Sequence, residues 1–284
     1  MSDQEKISTN ITAVIIAKDE ETMLPGCLKC LQWCDEILVI DSGSKDQTLA
    51  VAEQFGAKTI SFQHSSFAKL RSEAIKRVKT PWLIYVDADE RVTPALAREI
   101  LVHLETSGEA AAFNLHRTNV FYGQVMTAGG WQTDILPRVF KLEKLTGWSG
   151  EVHETPEFDG TTLNLQQPLV HFSHRNTIDG LLKTAAWTQI EAKLLFESGL
   201  PPVKISTLLR KGLMEFFRRA WVWKGYRDGE AGWIEALIQG INKILIYLQV
   251  WEFQRKPSLT QTYEALDKQT QDIWEKQTDL IKKT

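Results

Sequence analysis

The chain has 284 residues, 43% of them hydrophobic and 24% charged, and its formal net charge is −3. This length suits one large domain, or one domain with a smaller one, and the slightly negative charge provides no overall basic field for binding nucleic acid. The first ten residues are polar and no run of about 18 apolar residues occurs, so we expect a cytoplasmic protein without a membrane-spanning helix.

Apolar runs and amphipathic segments alternate through the first part of the chain. Predicted strands cover 11–17, 36–40, 58–62 and 82–86, and predicted helices cover 22–34, 46–55, 67–79 and 95–105. Strands that alternate with helices of this length are typical of right-handed βαβ units, so the pattern predicts a parallel sheet.

The predicted strand 82–86 runs directly into carboxylates, in the stretch PWLIYVDADERVTP. Asp87 and Asp89 are two residues apart, and on an extended strand they point to the same side. Ligands bind at the carboxyl ends of strands in open α/β sheets, and Mg²⁺ is typically held by one or two carboxylates plus substrate phosphates. The stretch therefore indicates a metal–diphosphate site. The alternative is a strand that ends in a solvated acidic turn.

Two earlier predicted strands also end in acidic residues. Asp19 and Glu20 follow the first strand, and Asp41 follows the second. If the strands are parallel, all of these carboxylates lie on one edge of the sheet, where they can accept hydrogen bonds from a nucleotide base and ribose. Arg71 lies on the predicted helix 67–79, which precedes strand 82–86. It either pairs with phosphate or faces water with its lysine and arginine neighbours. The chain has no glycine-rich phosphate-binding motif, so metal and side chains would have to hold the phosphates.

Residues 110–172 are rich in glycine, threonine and aromatic residues and are predicted to form strands and loops. In the loop Gly129-Gly130-Trp131, Gly130 and Trp131 can lay backbone and an aromatic ring against a sugar. Asp134 or Glu154 is suited to act as a general base. His153 or His171 is suited to complete a metal shell, although a lone histidine is more often a packed core residue.

From residue 176 onward the chain is predicted to be helical. Residues 205–226 mix arginine and lysine with phenylalanine, tryptophan and leucine, and residues 233–253 are strongly apolar but interrupted by glutamate, glutamine, asparagine and lysine. Basic amphipathic helices of this kind lie in membrane interfaces, or they pack on a sheet as a helical subdomain.

Taken in order, these motifs resemble the inverting family 2 glycosyltransferases, specifically the group similar to lipopolysaccharide-core β-glucosyltransferases. The matching text is IIAKDEE, WCDEILVIDSGSKDQT, PWLIYVDADERVTP, GGW with Asp134 and RVFK, GEVHE and HFSH. The resemblance implies an α/β GT-A fold, with a Rossmann-like, mostly parallel sheet flanked by helices and a C-terminal helical subdomain. It implies a catalytic domain at 1–175, with a nucleotide-sugar half at 11–105 and an acceptor half at 106–175, followed by a helical region at 176–284.

The resemblance also implies roles for individual residues. The nucleotide-sugar site would comprise Asp19, Glu20, Asp41, Arg71 and Asp87; the metal site Asp89, Asp87 and His153; the acceptor side Asp134, Glu154, Gly130 and Trp131. Asp89 is the better metal ligand of the Asp-x-Asp pair, and either Asp134 or Glu154 is the base. Family members often have asparagine where this chain has Asp19 and Ser72, which affects donor detail rather than the class of reaction.

The implied reaction is a single displacement, in which a hexose moves from a UDP-hexose, expected to be UDP-glucose, to a lipopolysaccharide-core or other lipid-linked saccharide. A divalent cation, Mn²⁺ or Mg²⁺, neutralises the leaving nucleoside diphosphate. Residues 205–253 would hold the enzyme peripherally on the inner face of the cytoplasmic membrane. Two other functions fit parts of the sequence: a phosphatase of the haloacid-dehalogenase type, which also uses Asp-x-Asp, and a non-enzymatic membrane-associated adaptor.

Overall fold

A computed structural model of the protein describes residues 8–64, 66–106, 108–150 and 154–281. The first part alternates strands and helices: β1 Ile11–Ala17, α1 Leu24–Lys29, β2 Glu36–Asp41, α2 Thr48–Gln54, β3 Lys58–Ser61, α3 Phe67–Ile75, β4 Trp82–Tyr85, β5 Glu90–Val92 and α4 Pro94–Thr106. Strands then dominate: β6 Ala110–Phe121, β7 Gln124–Val125, β8 Ile135–Lys141, β9 Leu145–Ser149, β10 Thr155–Phe158 and β11 Thr161–Phe172. The rest is helical: α5 Thr177–Glu197, α6 Ile205–Phe217, a π-helical turn Arg218–Val222, a 3-10 turn Gly225–Asp228, α7 Gly229–Phe253 and α8 Leu259–Ile281.

The strands form one large mixed sheet in the order β3-β2-β1-β4-β8-β6-β11-β5, with β7 paired to β6, and a separate hairpin of β9 and β10. The strands β3, β2, β1 and β4 are parallel, as the alternating pattern predicts. Beyond β4 the sheet is mixed, because β8 runs antiparallel to both β4 and β6. Parallel pairing needs a crossover connection, and helices are scarce between the strands of 110–172. The predicted α/β architecture with a helical C-terminal region is confirmed.

The central strand β1 is buried along its whole length, which explains why it reads as a continuous apolar run. Ile11 and Ile15 enter one hydrophobic cluster with α1 and α4, while Val14 and Ile16 enter a second cluster with α3. The sheet is therefore covered on both faces, and its functional side chains must emerge at the strand ends.

The predicted helix over 205–226 is shorter in the structure, because α6 ends at Phe217 and a π-helical turn follows. The chain then passes α7 at very close range. A Cβ atom on Gly232 would lie 1.9 Å from the carbonyl oxygen of Gly225, so this crossing requires a glycine at 232. Among the described helices, none is long and apolar enough to cross a membrane.

Contacts join the C-terminal helices to the loop between β7 and β8. Asp228, which is buried, accepts hydrogen bonds from the backbone N–H groups of Thr127 and Ala128 and from the Thr127 hydroxyl. Ala231 of α7 packs with Phe121 and Met126 in a small hydrophobic cluster. The helical region thus helps to shape the loop that leads to Trp131.

Candidate active site

The loops that follow β1 and β2 lie side by side and are hydrogen-bonded to each other. The Asp19 N–H donates to Ser44 Oγ at 3.0 Å, and the Lys45 N–H donates to Asp19 Oδ1 at 2.7 Å. Asp41 is buried and accepts hydrogen bonds from the N–H groups of Gly43 and Ser44. The structure therefore brings Asp19 and Asp41 together, as predicted, and shows that their carboxylates order these loops.

Glu20 lies beside the start of α2. Its backbone N–H donates to Thr48 Oγ1 at 2.8 Å, which ties the first loop to the helix that follows the second. The carboxyl ends of β1, β2 and β4 are adjacent in the sheet, so the loop with Glu20 faces the same edge as the acidic residues after β4.

The acidic residues after β4 form a turn, and the prediction of an extended segment there is wrong. β4 ends at Tyr85, and the Glu90 N–H donates back to the Asp87 carbonyl oxygen at 2.9 Å. In return the Asp87 N–H donates to Glu90 Oε2, also at 2.9 Å. Within this turn Asp87 contacts Arg71 and Arg138, whereas Asp89 lies near His171.

An ion-pair network holds Asp87, which is partly exposed, and Glu90, which is buried. Arg138 of β8 places Nη2 at 2.6 Å from Asp87 Oδ2 and 2.7 Å from Glu90 Oε1, and Arg117 Nη1 lies 3.3 Å from Glu90 Oε1. Burial opposes ionisation of Asp87, but Arg138 and Arg71 outweigh it and hold the pKa of Asp87 well below its usual range. Burial raises the pKa of Glu90, against the lowering effect of Arg138.

Arg71 turns into the site, which excludes the alternative that it belongs to a solvated helix face. It is 8% exposed, and its guanidinium lies 3.3 Å from Glu154 Oε2, 3.8 Å from Asp87 Oδ1 and 4.6 Å from the centre of the Trp148 ring. Arg71 Nε has no hydrogen-bond partner among the described residues. Glu154 thus lies beside the arginine that sequence analysis assigned to the diphosphate.

A second chain of contacts joins Asp134 to Asp89. Asp134 Oδ2 accepts hydrogen bonds from Arg117 Nε at 2.7 Å and Asn119 Nδ2 at 3.0 Å. Asn119 Oδ1 lies 2.7 Å from His171 Nδ1, and His171 Nε2 lies 3.6 Å from Asp89 Oδ2. The structure therefore places the two acidic candidates for the base in different surroundings: Asp134 near Asp89, and Glu154 near Asp87.

The loop with Gly130 and Trp131 packs against the C-terminal helices. Gly130 has φ +92°, and a Cβ atom there would lie 2.5 Å from the Trp223 ring. The Gly129 carbonyl accepts a hydrogen bond from Arg219 Nη1 at 3.1 Å, and the Arg219 guanidinium lies 5.0 Å from the centre of the Trp131 ring. The close contact with Trp223 is a physical reason for glycine at 130 that does not involve a sugar.

Comparison with known proteins gives this acidic edge a context. Residues 12–150 match the family described as glycosyl transferase family 2. The chain contains a glycosyl transferase family 2 domain. This family 2 enzyme is 27% identical over 251 residues to the lipopolysaccharide core biosynthesis glycosyltransferase LpsC of Rhizobium meliloti (strain 1021), a match that covers 85% of this chain and 92% of the relative.

Other similar proteins include an uncharacterized glycosyltransferase of Rickettsia conorii, 23% identical over 263 residues, with 85% of this chain and 89% of the relative covered. Among solved structures, glucosyl-3-phosphoglycerate synthase from Mycobacterium tuberculosis, in complex with Mn²⁺, UDP and glucosyl-3-phosphoglycerate, is 17% identical with a TM-score of 0.44. That similarity covers 67% of this chain and 80% of the synthase chain.

Of the predicted metal ligands, Asp87 and Asp89 lie within the described residues: Asp87 Oδ2 is 2.6 Å from Arg138 Nη2, and Asp89 Oδ2 is 3.6 Å from Nε2 of His171, the alternative histidine. His153, the predicted histidine ligand, lies outside those residues. The ranges 8–64, 66–106, 108–150 and 154–281 contain no group of three or more histidine, cysteine and acidic side chains arranged for a metal ion. An oxygen and an imidazole nitrogen nevertheless fit Mn²⁺ or Mg²⁺, since substrate phosphates commonly complete such sites.

Four residues of this site received no predicted role from the sequence: Glu90, Arg117, Asn119 and Arg138. The available signal was polar residues inside otherwise strand-like text, as in TNVF and LPRVF. A buried charge needs a partner, so Arg138 within an apolar run already implies a nearby carboxylate.

Proposed function

We propose that this family 2 glycosyltransferase transfers a hexose from a UDP-hexose, with UDP-glucose the expected donor, to a hydroxyl group of a lipopolysaccharide-core or other lipid-linked saccharide. The observation that carries the proposal is the acidic turn after β4, held by Arg138 and adjacent to both Arg71 and His171. It lies at the same sheet edge as the loops with Asp19 and Asp41. The similarity to LpsC supports the choice of acceptor class.

On the donor side, the two hydrogen-bonded loops that carry Asp19, Glu20 and Asp41 bind the nucleoside. Arg71 binds the diphosphate, since a guanidinium suits phosphate oxygens and its Nε has no partner among the described residues. Glu154 holds Arg71 in position through the 3.3 Å contact. Asp87 is paired with Arg138 and orients the acidic turn.

Asp89 and His171, with His153 as a further ligand, would hold a divalent cation, Mn²⁺ or Mg²⁺, which when bound offsets the negative charge of the leaving diphosphate. Asp89 is the carboxylate better suited to this role, because Asp87 Oδ2 already receives Arg138 at 2.6 Å.

Asp134 is the general base in this proposal. Both donors that reach its carboxylate, Arg117 and Asn119, bond to Oδ2, and among the described residues no hydrogen bond reaches Oδ1. Asp134 also belongs to the loop that carries Gly130 and Trp131, the expected acceptor contacts. Glu154 lies instead beside the diphosphate arginine.

The reaction is then a single displacement. Asp134 takes the proton of the acceptor hydroxyl as the hydroxyl oxygen bonds to the anomeric carbon. The bond from that carbon to the diphosphate oxygen breaks on the opposite face, so the configuration inverts and the nucleoside diphosphate leaves with the bonding electrons.

The experiment compares Asp134→Ala and Glu154→Ala by UDP release with an acceptor glycolipid. Loss of a general base should lower kcat by about 100-fold or more with donor binding retained. Glu154→Ala should instead raise the donor KM, because Arg71 loses its anchor. Asp159→Ala, an exposed residue after β10, is the matched control. Full activity of Asp134→Ala would refute its role, and a wild-type enzyme that turns over no nucleotide-sugar would refute the function.

The C-terminal region (residues 176–284, beyond the catalytic domain proposed at 1–175) attaches the enzyme peripherally to an anionic membrane surface, at the inner face of the cytoplasmic membrane. α6 exposes Ile205, Leu209 and Leu213 at a spacing of four residues, and α7 exposes Trp233, Leu237 and Ile241 at the same spacing. Phe217, Trp221 and Val222 are 52%, 48% and 70% exposed at the end of this face. Arg210, Lys224 and Arg227 are exposed in the same region.

Two residues of the segment 205–226, which was expected to lie at the membrane surface, instead pack inward: Arg219 bonds to Glu215 and Gly129, and Trp223 packs on Gly130. Flotation with anionic liposomes at low and high salt tests the remaining surface. Binding at low salt that high salt weakens supports attachment, because each lysine or arginine near the surface contributes about 1 kcal/mol within a Debye length. Failure of the active protein to float at low salt would mean that the helices only pack on the sheet. Retained flotation with no metal-dependent nucleotide-sugar binding would favour the adaptor.

A further inference from the structure

The side chain of Asn119 connects the two halves of the proposed site. Asn119 lies on β6, is 1% exposed, and contacts Asp134 on one side and His171 on the other. Its backbone carbonyl accepts the Met126 N–H at 2.8 Å, so its position in the strand is also fixed by the loop between β7 and β8 (residues 126–134, the acceptor loop).

The hydrogen-bond partners determine how the amide of Asn119 is oriented. An ionised carboxylate only accepts hydrogen bonds, so the group that faces Asp134 Oδ2 at 3.0 Å must be the amide nitrogen. The Trp131 carbonyl oxygen, 3.4 Å from the same nitrogen, requires a donor as well. The amide oxygen is therefore the atom that faces His171.

That orientation determines the proton position on His171. Asn119 Oδ1 is an acceptor at 2.7 Å from Nδ1, so Nδ1 must carry a proton. In the neutral ring the lone pair then belongs to Nε2, which faces Asp89 Oδ2 at 3.6 Å. Two lone-pair groups that face each other at this distance are stabilised by a cation held between them.

We propose that Asn119 is a positioning residue that performs two tasks through one amide: its oxygen selects the Nδ1–H tautomer of His171, and its N–H group holds Asp134 Oδ2 so that Oδ1 faces the acceptor. The inference rests on the proposed function for the roles of Asp134 and of the cation. The tautomer selection depends only on the geometry of β6 and β11, which run parallel and place His171 opposite Asn119.

The first test needs neither metal nor substrate. ¹⁵N-histidine NMR at pH 8 reports which nitrogen of His171 carries the proton. The signal is assigned by comparison with His171→Gln. The expected result is a single Nδ1–H tautomer in the wild type, a mixture in Asn119→Ala, and retention in Asn119→Asp, whose carboxylate still accepts from Nδ1–H. An Nε2–H tautomer, or an imidazolium at pH 8, in the wild type would overturn the proposal.

The second test measures Mn²⁺ affinity in the presence of UDP by electron paramagnetic resonance. Removing the partner of a metal-binding histidine typically lowers affinity about 10–100-fold, and Asn119→Ala should do so. Asn119→Asp should keep most of that affinity but lower kcat at least tenfold, because a carboxylate beside Asp134 removes the donor and adds repulsion. Asn114→Ala is the matched control: Asn114 lies on the same strand, bonds to Asn164, and should change neither readout.

The outcomes separate the two proposals. If His171 loses its tautomer preference in Asn119→Ala while the wild type transfers no sugar, the role of Asn119 stands and the proposed function fails. If the wild type is an active transferase but Asn119→Ala keeps both tautomer and Mn²⁺ affinity, the role of Asn119 is wrong.

Discussion

Replacement of Arg138 by methionine tests whether the acidic turn depends on the buried ion-pair network. The Arg138 side chain is 4% exposed and that of Glu90 is 0% exposed, and Nη2 of Arg138 bonds to both Glu90 and Asp87. Breaking a buried ion pair by removing one partner costs about 3–5 kcal/mol. In the variant Glu90 keeps its contacts with Arg117 and with the Asp87 N–H group. We therefore expect the free energy of unfolding to fall by about 3 kcal/mol, the lower end of that range.

The measurement is urea unfolding, with thermal unfolding beside it. For domains of similar size, 1 kcal/mol shifts Tm by about 2–4 °C, so Arg138→Met should lower Tm by about 6–12 °C. Lys141→Met removes an exposed ion pair with Glu143 at the end of the same strand and should leave the midpoint unchanged. The double variant Glu90→Gln/Arg138→Met should recover part of the loss, because it no longer buries an unpaired charge.

The destabilisation should grow as the pH rises. Burial raises the pKa of Glu90, so the native state holds its proton more tightly than the unfolded state, and stability falls as pH rises between the two values. Removing Arg138 raises the native pKa of Glu90 further, because Arg138 is the main cation that lowers it. The same change removes the main cation that lowers the pKa of Asp87. Arg138→Met should therefore differ more from the wild type at pH 8 than at pH 5. If the difference in unfolding free energy between wild type and Arg138→Met were the same at pH 5 and pH 8, or if the variant lost no stability, the ion-pair network would not stabilise the acidic turn.

Three further variants probe the rest of the molecule. Asp89→Asn should abolish Mn²⁺-dependent UDP binding in calorimetry, and wild-type affinity in this variant would argue against the metal site. Asp41→Ala should raise the donor KM more than it lowers kcat, since its carboxylate orders a binding loop; unchanged KM with a collapsed kcat contradicts this. Asp228→Ala should lower the free energy of unfolding by about 2–3 kcal/mol, because the N–H groups of the acceptor loop lose a charged partner; exposed Asp267→Ala is its control, and equal midpoints would contradict the expectation.

The shared edge formed by the acidic loops after β1, β2 and β4 was predictable from the sequence, because its signals are local. Each of β1, β2 and β4 is an apolar run, and in a parallel arrangement the acidic residues after them must share an edge. The prediction failed where the backbone turned: Asp87 and Glu90 exchange hydrogen bonds in a tight turn that an alternating pattern does not reveal.

The supporting residues were not predictable, because their partners are distant in sequence. Arg71 meets Glu154 across 83 residues, and Arg138 reaches Asp87 only because β8 pairs antiparallel with β4. Strand order beyond β4 has no local sequence signal. The same holds for Gly130, whose close neighbour Trp223 lies in the helical region.

The contact between Gly130 and Trp223 limits how this enzyme can be recombined with its relatives. A chimera that exchanges only the C-terminal helices would pair one protein's loop with another's tryptophan, at a distance where even a methyl group does not fit. Exchanging residues 126–131 together with 219–232 keeps Asp228 with its Thr127 partner and Arg219 with the Gly129 carbonyl. Libraries that aim to change acceptor preference should therefore treat these two segments as one cassette.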